Sequence, residues 1–341
     1  MFSAFLFNQS IDNAFHLLCN NRKNHPPNSD IWDFRFNWDN NKTSIIRRLK
    51  SNCYTLRPLQ IITKKDNTQV AIWSSADAFV IHLVTLYLTP LLPVHQKCEH
   101  IKGNGGGKKS VLNLNQEINH YHYVCRTDIK GYYANINKSL LLAQIREHVS
   151  DVIVLNLIAQ FLYYTVEYGG NFHTPNTGMA RSSSLSPLLA AFHLYCIDDY
   201  FSKRPHLHYI RYMDDFIILT KTRWHLRKAI TTLNAFFASF GFKQHPDKTF
   251  IGKISIGFDW MGFWFTHNGC QSVSPRAINN HIIKLHRLYE QIRKWPAKQR
   301  ARRMMHYSTK WDNWKNNTLN AITNMSPLLV PLRSKRQEST L

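Results

Sequence analysis

Two adjacent carboxylates, Asp214 and Asp215, are the side chains of this 341-residue chain best suited to chemistry. They interrupt a run of apolar, β-favouring residues over 209–219, with the sequence YIRYMDDFIIL. This pattern predicts a β-hairpin with both carboxylates at or beside its turn. Neighbouring residues of a strand face opposite ways, so only a turn lets both serve one site. Carboxylates crowded in this way favour a hard divalent cation.

Other acidic positions receive two different interpretations. A strand pattern over 121–124 leads into Asp128, and Gly131 and two tyrosines follow it. An acidic residue at the end of a strand lies at the edge of a sheet, where a metal ligand is well placed. Asp198 and Asp199, by contrast, end an apolar run, and we interpret them as a solvated turn.

The elements that must position these carboxylates are both strands and helices. Strand patterns at 57–62 and 69–72 flank a polar turn that carries Lys64 and Lys65, which form either a phosphate clamp or a solvated tip. A short strand pair is predicted over 258–265. Helices are predicted over 11–20, 77–92, 139–148, 151–167, 188–200 and 224–240, and a helical region begins at 275.

Two helix starts carry a local signal. Ser139 is a candidate cap for the helix at 139–148, and Pro187 falls in the first turn of the helix at 188–200. The segment 177–187 before that helix, TGMARSSSLSP, consists mainly of small and polar residues. It either lets a template base or nucleotide approach closely or is only a loop and cap.

The glycine-rich segment 103–110 does not match a phosphate-binding loop. That motif has four residues between its glycines and a hydroxyl directly after its lysine. Here only three residues separate Gly103 from Gly107, and Lys109 follows Lys108. The segment is therefore interpreted as a basic loop, which either contacts a nucleic-acid backbone or is simply a surface loop.

The composition is that of a globular and strongly basic protein. Hydrophobic residues make up 44% of the chain, and 43 Lys and Arg against 21 Asp and Glu give a net charge of +22. A field of that sign attracts polyanions, and nucleic acid is the first candidate. From residue 271 onward, 14 Lys and Arg stand against 3 Asp and Glu, interleaved with tryptophans. This region is expected to lie along phosphates.

Cysteine usage and hydropathy point to a cytoplasmic protein without membrane contact. The cysteines are scattered, with no Cys-x-x-Cys pair, which indicates reduced thiols. No apolar run reaches the roughly 18 residues of a membrane-spanning helix, and neither a lipid-anchor motif nor a secretion signal is expected.

Five short motifs follow one another along the chain: Asp128, the loop ending in Ser186-Pro187, Tyr212-Met213-Asp214-Asp215, Lys248-Thr249 and Met261-Gly262-Phe263. In this order they resemble motifs A to E of reverse transcriptases. The chain resembles a bacterial reverse transcriptase, related to group II intron, retron and diversity-generating enzymes, over about residues 54–330. The Tyr-Met-Asp-Asp box, embedded in strands, is the most specific part of the likeness.

The resemblance implies an α+β, right-hand polymerase. Residues 1–50 would form an N-terminal extension, and 51–270 the fingers and a palm built of an antiparallel sheet with helices. Residues 271–341 would form a basic helical thumb. The implied activity is RNA-directed DNA polymerisation, with an RNA template, a DNA product and deoxynucleoside triphosphates as substrates.

The resemblance also assigns the chemistry of the site. Asp128 and Asp214 would bind two Mg²⁺ ions, with Asp215 supporting them, and Ile129 counts among both the metal-binding and the nucleotide-binding positions. Lys248 would protonate the leaving pyrophosphate. Two such ions activate a primer hydroxyl and neutralise the leaving group.

Contacts to nucleotide and primer follow from the same resemblance. Tyr133 matches a steric gate that excludes a ribose 2′-hydroxyl, so deoxynucleotides are expected. Lys64 and Lys65 match lysines that meet the triphosphate. The primer and template positions are Tyr212, Met213, Met261, Gly262 and Phe263.

Two positions depart from the family pattern. Arg181-Ser182 replaces the Gln-Gly of most intron and retron enzymes, which would alter contact with the template base or incoming nucleotide, and both residues count among the nucleotide-binding positions. Ala71 stands where a fingers arginine is usual, so that contact is missing or comes from another residue such as Arg57. These departures suggest an outlying group linked to antiviral defence or mobile elements.

Three hypotheses remain open. The first is an Mg²⁺-dependent polymerase that copies a dedicated noncoding RNA. The second is a defence polymerase that is template-independent or protein-primed. The third is an RNA-binding scaffold with a vestigial site. A second protein or a homo-oligomer is a further expected partner.

Overall fold

The structure is a computed structural model that describes residues 2–63, 69–101 and 103–325. Lys64 and Lys65, at the tip of the predicted hairpin, lie outside these residues. The chain divides into two compact units. The first comprises Met1–Asn104 and Cys125–Ile251, and the second comprises Gly105–Val124 and Gly252–Leu341. The expected mixture of helices and antiparallel strand pairs is confirmed, while the right-hand arrangement and its domain boundaries stay predictions.

Five helices belong to the N-terminal part of the first unit: α1 Phe2–Phe5, α2 Asn8–Arg22, α3 Asp30–Phe36, α4 Trp38–Lys50 and α5 Ser75–Leu88. Helix α5 is the apolar helix predicted over 77–92, and it ends four residues earlier, before Pro90. Its start is fixed by Ser74, whose hydroxyl accepts the Asp77 N–H at 3.1 Å.

A four-stranded sheet contains the hairpin predicted around residue 65. Its strands are β1 Leu59–Thr63, β2 Gln69–Ile72, β4 Val166–Tyr168 and β5 Asn171–His173, in the order β2-β1-β4-β5. The helix predicted over 151–167 is therefore too long, since α9 spans only Val152–Leu162. Thr165 accepts the Leu59 N–H at 2.8 Å, and pairing with β1 draws this β-branched segment into the sheet.

A second sheet has the order β6-β7-β3-β8 and carries the acidic residues. Its strands are β3 Tyr123–Asp128, β6 Leu207–Tyr212, β7 Asp215–Thr220 and β8 Phe250–Lys253. Strands β6 and β7 pair antiparallel, which confirms the predicted hairpin. The side chains of 216–219 are all fully buried, so β7 is covered on both faces.

The remaining helices of the first unit are α7 Tyr132–Asn135, α8 Lys138–Arg146, α10 Leu185–His193, α11 Tyr195–Ser202 and α12 Arg223–Phe240. The helix predicted over 188–200 is two helices, α10 and α11, separated at Leu194. The solvated turn predicted at Asp198 is wrong, because Asp198 lies within α11 and is fully buried against Arg211. Asp199 alone faces outward, paired with Lys203 at 2.7 Å.

The second unit contains α6 Gly106–Glu117, α13 Pro275–Ile292, α14 Ala297–Met325 and the strands β9 Phe258–Trp260, β10 Phe263–Thr266 and β11 Gly269–Val273. The strands form an antiparallel sheet in the order β11-β10-β9, which confirms the predicted pair and adds a third strand. The loop interpretation of 103–110 is wrong from Gly106 onward, where α6 begins. Ser110 of α6 accepts the Trp260 indole N–H at 2.9 Å, so the helix is docked on the sheet. Of the helices described in the two units, none is long and apolar enough to cross a membrane.

The cap of α8 generates a test of this description. The predicted cap, Ser139, lies inside the helix, and Asn137 is the cap, with its side chain accepting the Leu140 N–H at 3.0 Å. We expect Asn137→Ala to lower the free energy of unfolding by about 1 kcal/mol. Ser139→Ala is the control and should cost less, because the Ser139 hydroxyl only donates to the Asn137 side chain, at 2.9 Å, and does not itself cap the helix. Equal losses in urea denaturation would contradict the assignment.

Candidate active site

The turn between β6 and β7 places two carboxylates at one point. Tyr212 pairs with Asp215, so Met213 and Asp214 form a two-residue turn and Asp215 begins β7. Met213 has φ +56°, whereas Asp214 does not have a positive φ, which is the pattern of a type II′ turn. That first position usually holds glycine, so Met213 adopts an unfavourable backbone conformation here.

Main-chain bonds bring Asp128 to this turn. The N–H of Ile129, the residue after Asp128, donates to the carbonyl oxygen of Asp214 at 3.1 Å. On the other side, the His245 N–H donates to the Asp128 carbonyl oxygen at 2.7 Å. The Asp128 carboxyl group lies near enough to that of Asp214 for its charge to raise the pKa of Asp214. The three acidic residues that the sequence singles out are therefore neighbours.

Burial and mutual repulsion disfavour negative charge here. Burial, and next the charge of Asp128, raise the pKa of Asp214 to about 6. Burial also raises the pKa of Asp215 to about 6, although Arg126 opposes that rise. Asp128 itself is only 1% exposed. The ionised forms of Asp214 and Asp215 are therefore disfavoured in this site.

Two basic side chains partly compensate for this charge. The Lys248 ammonium donates to Oδ2 of Asp128, and its side chain is 35% exposed. Arg126 lies 3.9 Å from the Asp215 carboxylate, measured from Nη2 to Oδ1, and donates to the Lys248 carbonyl oxygen at 3.1 Å. Arg126 therefore joins the strand of Asp128 to Lys248 and Asp215.

The residues present fit a divalent cation. Among the described residues, Oδ1 of Asp128 and Oδ1 of Asp215 are buried without a hydrogen-bond partner. Carboxylate oxygens are the hard ligands that such cations prefer, and bound positive charge would relieve the repulsion around Asp214. In the part of the chain that the structure describes, no group of three or more His, Cys, Asp or Glu side chains is arranged so that it could hold a metal ion. Ile129, the remaining predicted ligand, is buried and could contribute only main-chain atoms.

The predicted nucleotide-binding residues Tyr133 and Arg181 are also neighbours. The Arg181 guanidinium lies over the Tyr133 ring, 5.3 Å from its centroid. The loop that carries Arg181 is fixed to α7, since the Met179 N–H donates to the Tyr133 carbonyl oxygen at 2.7 Å. Gly178 has φ +87°, and a Cβ there would come within 2.7 Å of the Ala134 carbonyl oxygen. A side chain at that position would lift the loop away.

The other predicted contacts are divided between the two units. Ser182 is exposed beside Arg181 in the first unit. In the second unit, Met261 and Gly262 form the turn between β9 and β10, with φ +48° and +86°. Phe263 follows that turn and packs on Trp314, with ring centroids 4.8 Å apart.

Arg211 and His100 hold the acidic turn, and sequence reasoning missed both. Arg211 Nη1 donates to the Met213 carbonyl oxygen at 2.9 Å. His100 Nδ1 accepts the Met213 N–H at 3.1 Å, and burial lowers the pKa of His100 to about 4, which keeps the ring neutral. Arg211 places a positive charge within one apolar run and Asp198 a negative charge at the end of another, a signal that could have predicted their pairing. His100 carried no comparable signal.

Comparison with known proteins identifies the region that carries this site. A family model described as reverse transcriptase (RNA-dependent DNA polymerase) matches residues 53–265. The matched region contains all three acidic residues, Lys248 and Arg181. No curated protein matches the chain.

The raised pKa of Asp214 predicts how stability depends on pH. A carboxyl whose pKa is raised by folding stabilises the fold while it is protonated, and this contribution is lost as pH rises through about 6. In EDTA at pH 8, Asp214→Asn should therefore raise the free energy of unfolding, on the order of 1–2 kcal/mol. Near pH 3 the gain should vanish, because aspartate is then protonated in both states.

Thermal melts of the two proteins across this pH range measure the effect. Asp199→Asn is the control, since that carboxylate is paired with Lys203 at the surface and should show no such gain at pH 8. A lower melting temperature for Asp214→Asn at pH 8 would show that the Asp214 carboxylate is stabilised in the fold, contrary to this description.

Proposed function

Because the chain belongs to the reverse transcriptase family, we propose that it synthesises DNA on an RNA template at the site formed by Asp128, Asp214 and Asp215. The observation that carries this proposal is the convergence of three carboxyl groups on the β6–β7 turn. Among the described residues, two of their buried oxygens have no hydrogen-bond partner. A scaffold that only binds RNA gains nothing from partly buried, mutually repelling carboxylates, and their negative charge opposes the binding of phosphates.

In this proposal, Asp128, Asp214 and Asp215, with the main chain of Ile129, hold two Mg²⁺ ions. When bound, such ions stabilise the charge of the attacking and leaving oxygens during nucleotidyl transfer. Lys248 is the proton donor for the leaving pyrophosphate. Its ammonium is partly exposed and hydrogen-bonded to Asp128, so it can reach both the carboxylates and solvent.

Tyr133 and Arg181 select and orient the incoming nucleotide. Tyr133 is only 6% exposed, and the loop of Arg181 is hydrogen-bonded to its main chain, which leaves the ring little room to move aside for a ribose 2′-hydroxyl. The Arg181 guanidinium lies over that ring and is exposed, which suits contact with a phosphate or base edge. We place Ser182, Tyr212 and Met213 along the nucleotide, primer and template.

The template in this proposal is a dedicated noncoding RNA, and the biological role is antiviral defence in the cytoplasm. A net charge of +22 supports a polyanionic partner. The family departures at Arg181-Ser182 and Ala71 support an outlying, defence-associated group. Met261, Gly262 and Phe263 contact the primer, and the basic segment from residue 271 follows the phosphates.

Primer extension tests the activity directly. The protein is purified with its bound nucleic acid, Mg²⁺ and each labelled nucleotide are added, and the products are sequenced. We expect DNA complementary to a co-purified RNA. The double variant Asp214→Asn with Asp215→Asn should lower incorporation by at least about 1,000-fold, since it removes charge that acts in the transition state.

RNA binding of that double variant should be retained, and Asp199→Asn should keep normal incorporation. Full activity of the double variant would refute the site. Homopolymeric or protein-linked DNA would favour a template-independent or protein-primed enzyme, and no product with any nucleotide would favour the scaffold.

Sugar discrimination tests Tyr133. Tyr133→Ala should raise ribonucleotide incorporation relative to deoxynucleotide incorporation by about 10-fold or more, because the ring that blocks the 2′-hydroxyl is gone. Tyr133→Phe is the matched control, since it keeps the ring and should keep the discrimination. An unchanged ratio of kcat/KM values for the two sugars in Tyr133→Ala would exclude the gate.

A further inference from the structure

Arg211 is the most completely bonded charged side chain near the site. Both its side chain and that of Asp198 are 0% exposed. Its Nε and Nη2 donate to the two carboxylate oxygens of Asp198 at 2.7 and 2.5 Å, and Nη2 also donates to the Ala191 carbonyl oxygen at 3.0 Å. The fourth bond, from Nη1, goes to the Met213 carbonyl oxygen at 2.9 Å. One planar group thus joins α10, α11 and the acidic turn.

The main chain of Arg211 is fixed as firmly as its side chain. Its N–H donates to the Lys97 carbonyl oxygen at 2.9 Å, and its own carbonyl oxygen accepts the Glu99 N–H at 2.9 Å. The Tyr209 hydroxyl donates to Asp198 at 2.6 Å, so the carboxylate also has a further partner. These hydrogen bonds therefore fix the position of the Arg211 guanidinium.

The turn needs support of this kind. Met213 has φ +56°, a backbone conformation that is unfavourable for a residue with a Cβ. Its N–H is held by His100, its carbonyl oxygen by Arg211, and the carbonyl oxygen of Asp214 by the Ile129 N–H. The last of these bonds sets Asp214 beside Asp128. If Met213 left its positive-φ conformation, the hydrogen bond from Ile129 to Asp214 would weaken.

Stability alone does not explain a buried ion pair. Replacing such a pair with apolar residues of similar size is often neutral or stabilising, because burial costs both groups their hydration. Arginine also differs from lysine here, since only its fork can bind Asp198 and Met213 simultaneously. Arg211 is therefore needed for the directions of its hydrogen bonds and not only for its charge.

We propose that Arg211 is a positioning residue, which, anchored on Asp198, holds Met213 in its left-handed conformation and thereby fixes Asp214 beside Asp128. This inference rests on the proposed function of the site, since it assigns Arg211 a role in nucleotidyl transfer without contact to substrate. It gives Asp198 the role of anchor for the guanidinium.

Arg211→Lys tests the proposal, because it keeps a positive charge opposite Asp198 and loses the fork. We expect kcat for primer extension to fall by about 10- to 100-fold, since a small displacement of a reacting group has an effect of that size. KM for the nucleotide should change by less than about 3-fold, since Arg211 makes no substrate contact. An unchanged kcat would overturn the proposal.

Met213→Gly distinguishes positioning from a structural role. Glycine adopts positive φ without strain, so the turn should then depend less on Arg211. We expect Arg211→Lys to lower kcat at least about 3-fold less in the Met213→Gly background than in the wild-type background. Effects that simply multiply would mean that Arg211 acts only through the core, and would overturn the proposal.

A triple variant distinguishes loss of positioning from loss of folding. Asp198→Leu, Tyr209→Phe and Arg211→Met together replace the buried polar cluster with apolar side chains, and we expect near-normal melting with the same low kcat. Normal kcat in this variant would refute the positioning role. If neither this variant nor Arg211→Lys folds, Arg211 is a folding residue and the proposal fails.

Hydrogen exchange separates this inference from the proposed function. In Arg211→Lys the Ile129 N–H should exchange at least about 10-fold faster, while the amides of 216–219 keep their protection. This readout requires no catalysis, so a wild-type protein without polymerase activity would refute the proposed function and leave the positioning role testable. Unchanged exchange at Ile129 would overturn the positioning role itself.

Discussion

Crowding of buried negative charge around Asp214 is the constraint on which the rest of the first unit depends. The carboxyl group is desolvated and lies beside Asp128, and the pKa of Asp214 is raised to about 6 as a result. Such an arrangement persists only where surrounding structure over-determines it. The sheet order β6-β7-β3-β8 does so by placing the strand of Asp128 next to the strand of Asp215. Lys248 and Arg126 then supply positive charge from the flanks.

Sequence patterns predicted this centre well because its chemistry and its local structure coincide. The apolar, β-favouring run interrupted by Asp214 and Asp215 predicted the hairpin, and the strand that ends at Asp128 was also correct. The helix predicted over 224–240 is α12, and Gly241 directly after it adopts φ +76°, as glycine commonly does at a helix end. In these cases the signal lies within a few residues of the feature that it specifies.

The failures concern features that depend on distant partners. Asp198 looks like a surface turn unless Arg211, on another element, is known to face it. Thr165 and Val166 continue an apolar run from α9, and only pairing with β1 makes that segment a strand. The glycine-rich start of α6 has the composition of a loop, yet its Ser110 and Asn115 bond to β9 and β11, and this docking outweighs low helix propensity.

The β6–β7 and β9–β10 turns, two of the two-residue turns in the described residues, solve one steric problem by different means. In the β9–β10 turn, Gly262 supplies one of the two positive φ values at no steric cost, and the Trp314 ring lies so close that an added Cβ would come within 3.0 Å of it. In the β6–β7 turn, the corresponding second position must carry the carboxylate of Asp214, so glycine is excluded there by the chemistry. The positive φ falls on Met213 instead. Its N–H donates to His100 and its carbonyl oxygen accepts from Arg211, and these two hydrogen bonds stabilise a conformation that glycine would adopt without strain. The buried charge of Arg211, and with it the buried charge of Asp198, thus follows from placing a carboxylate in a two-residue turn.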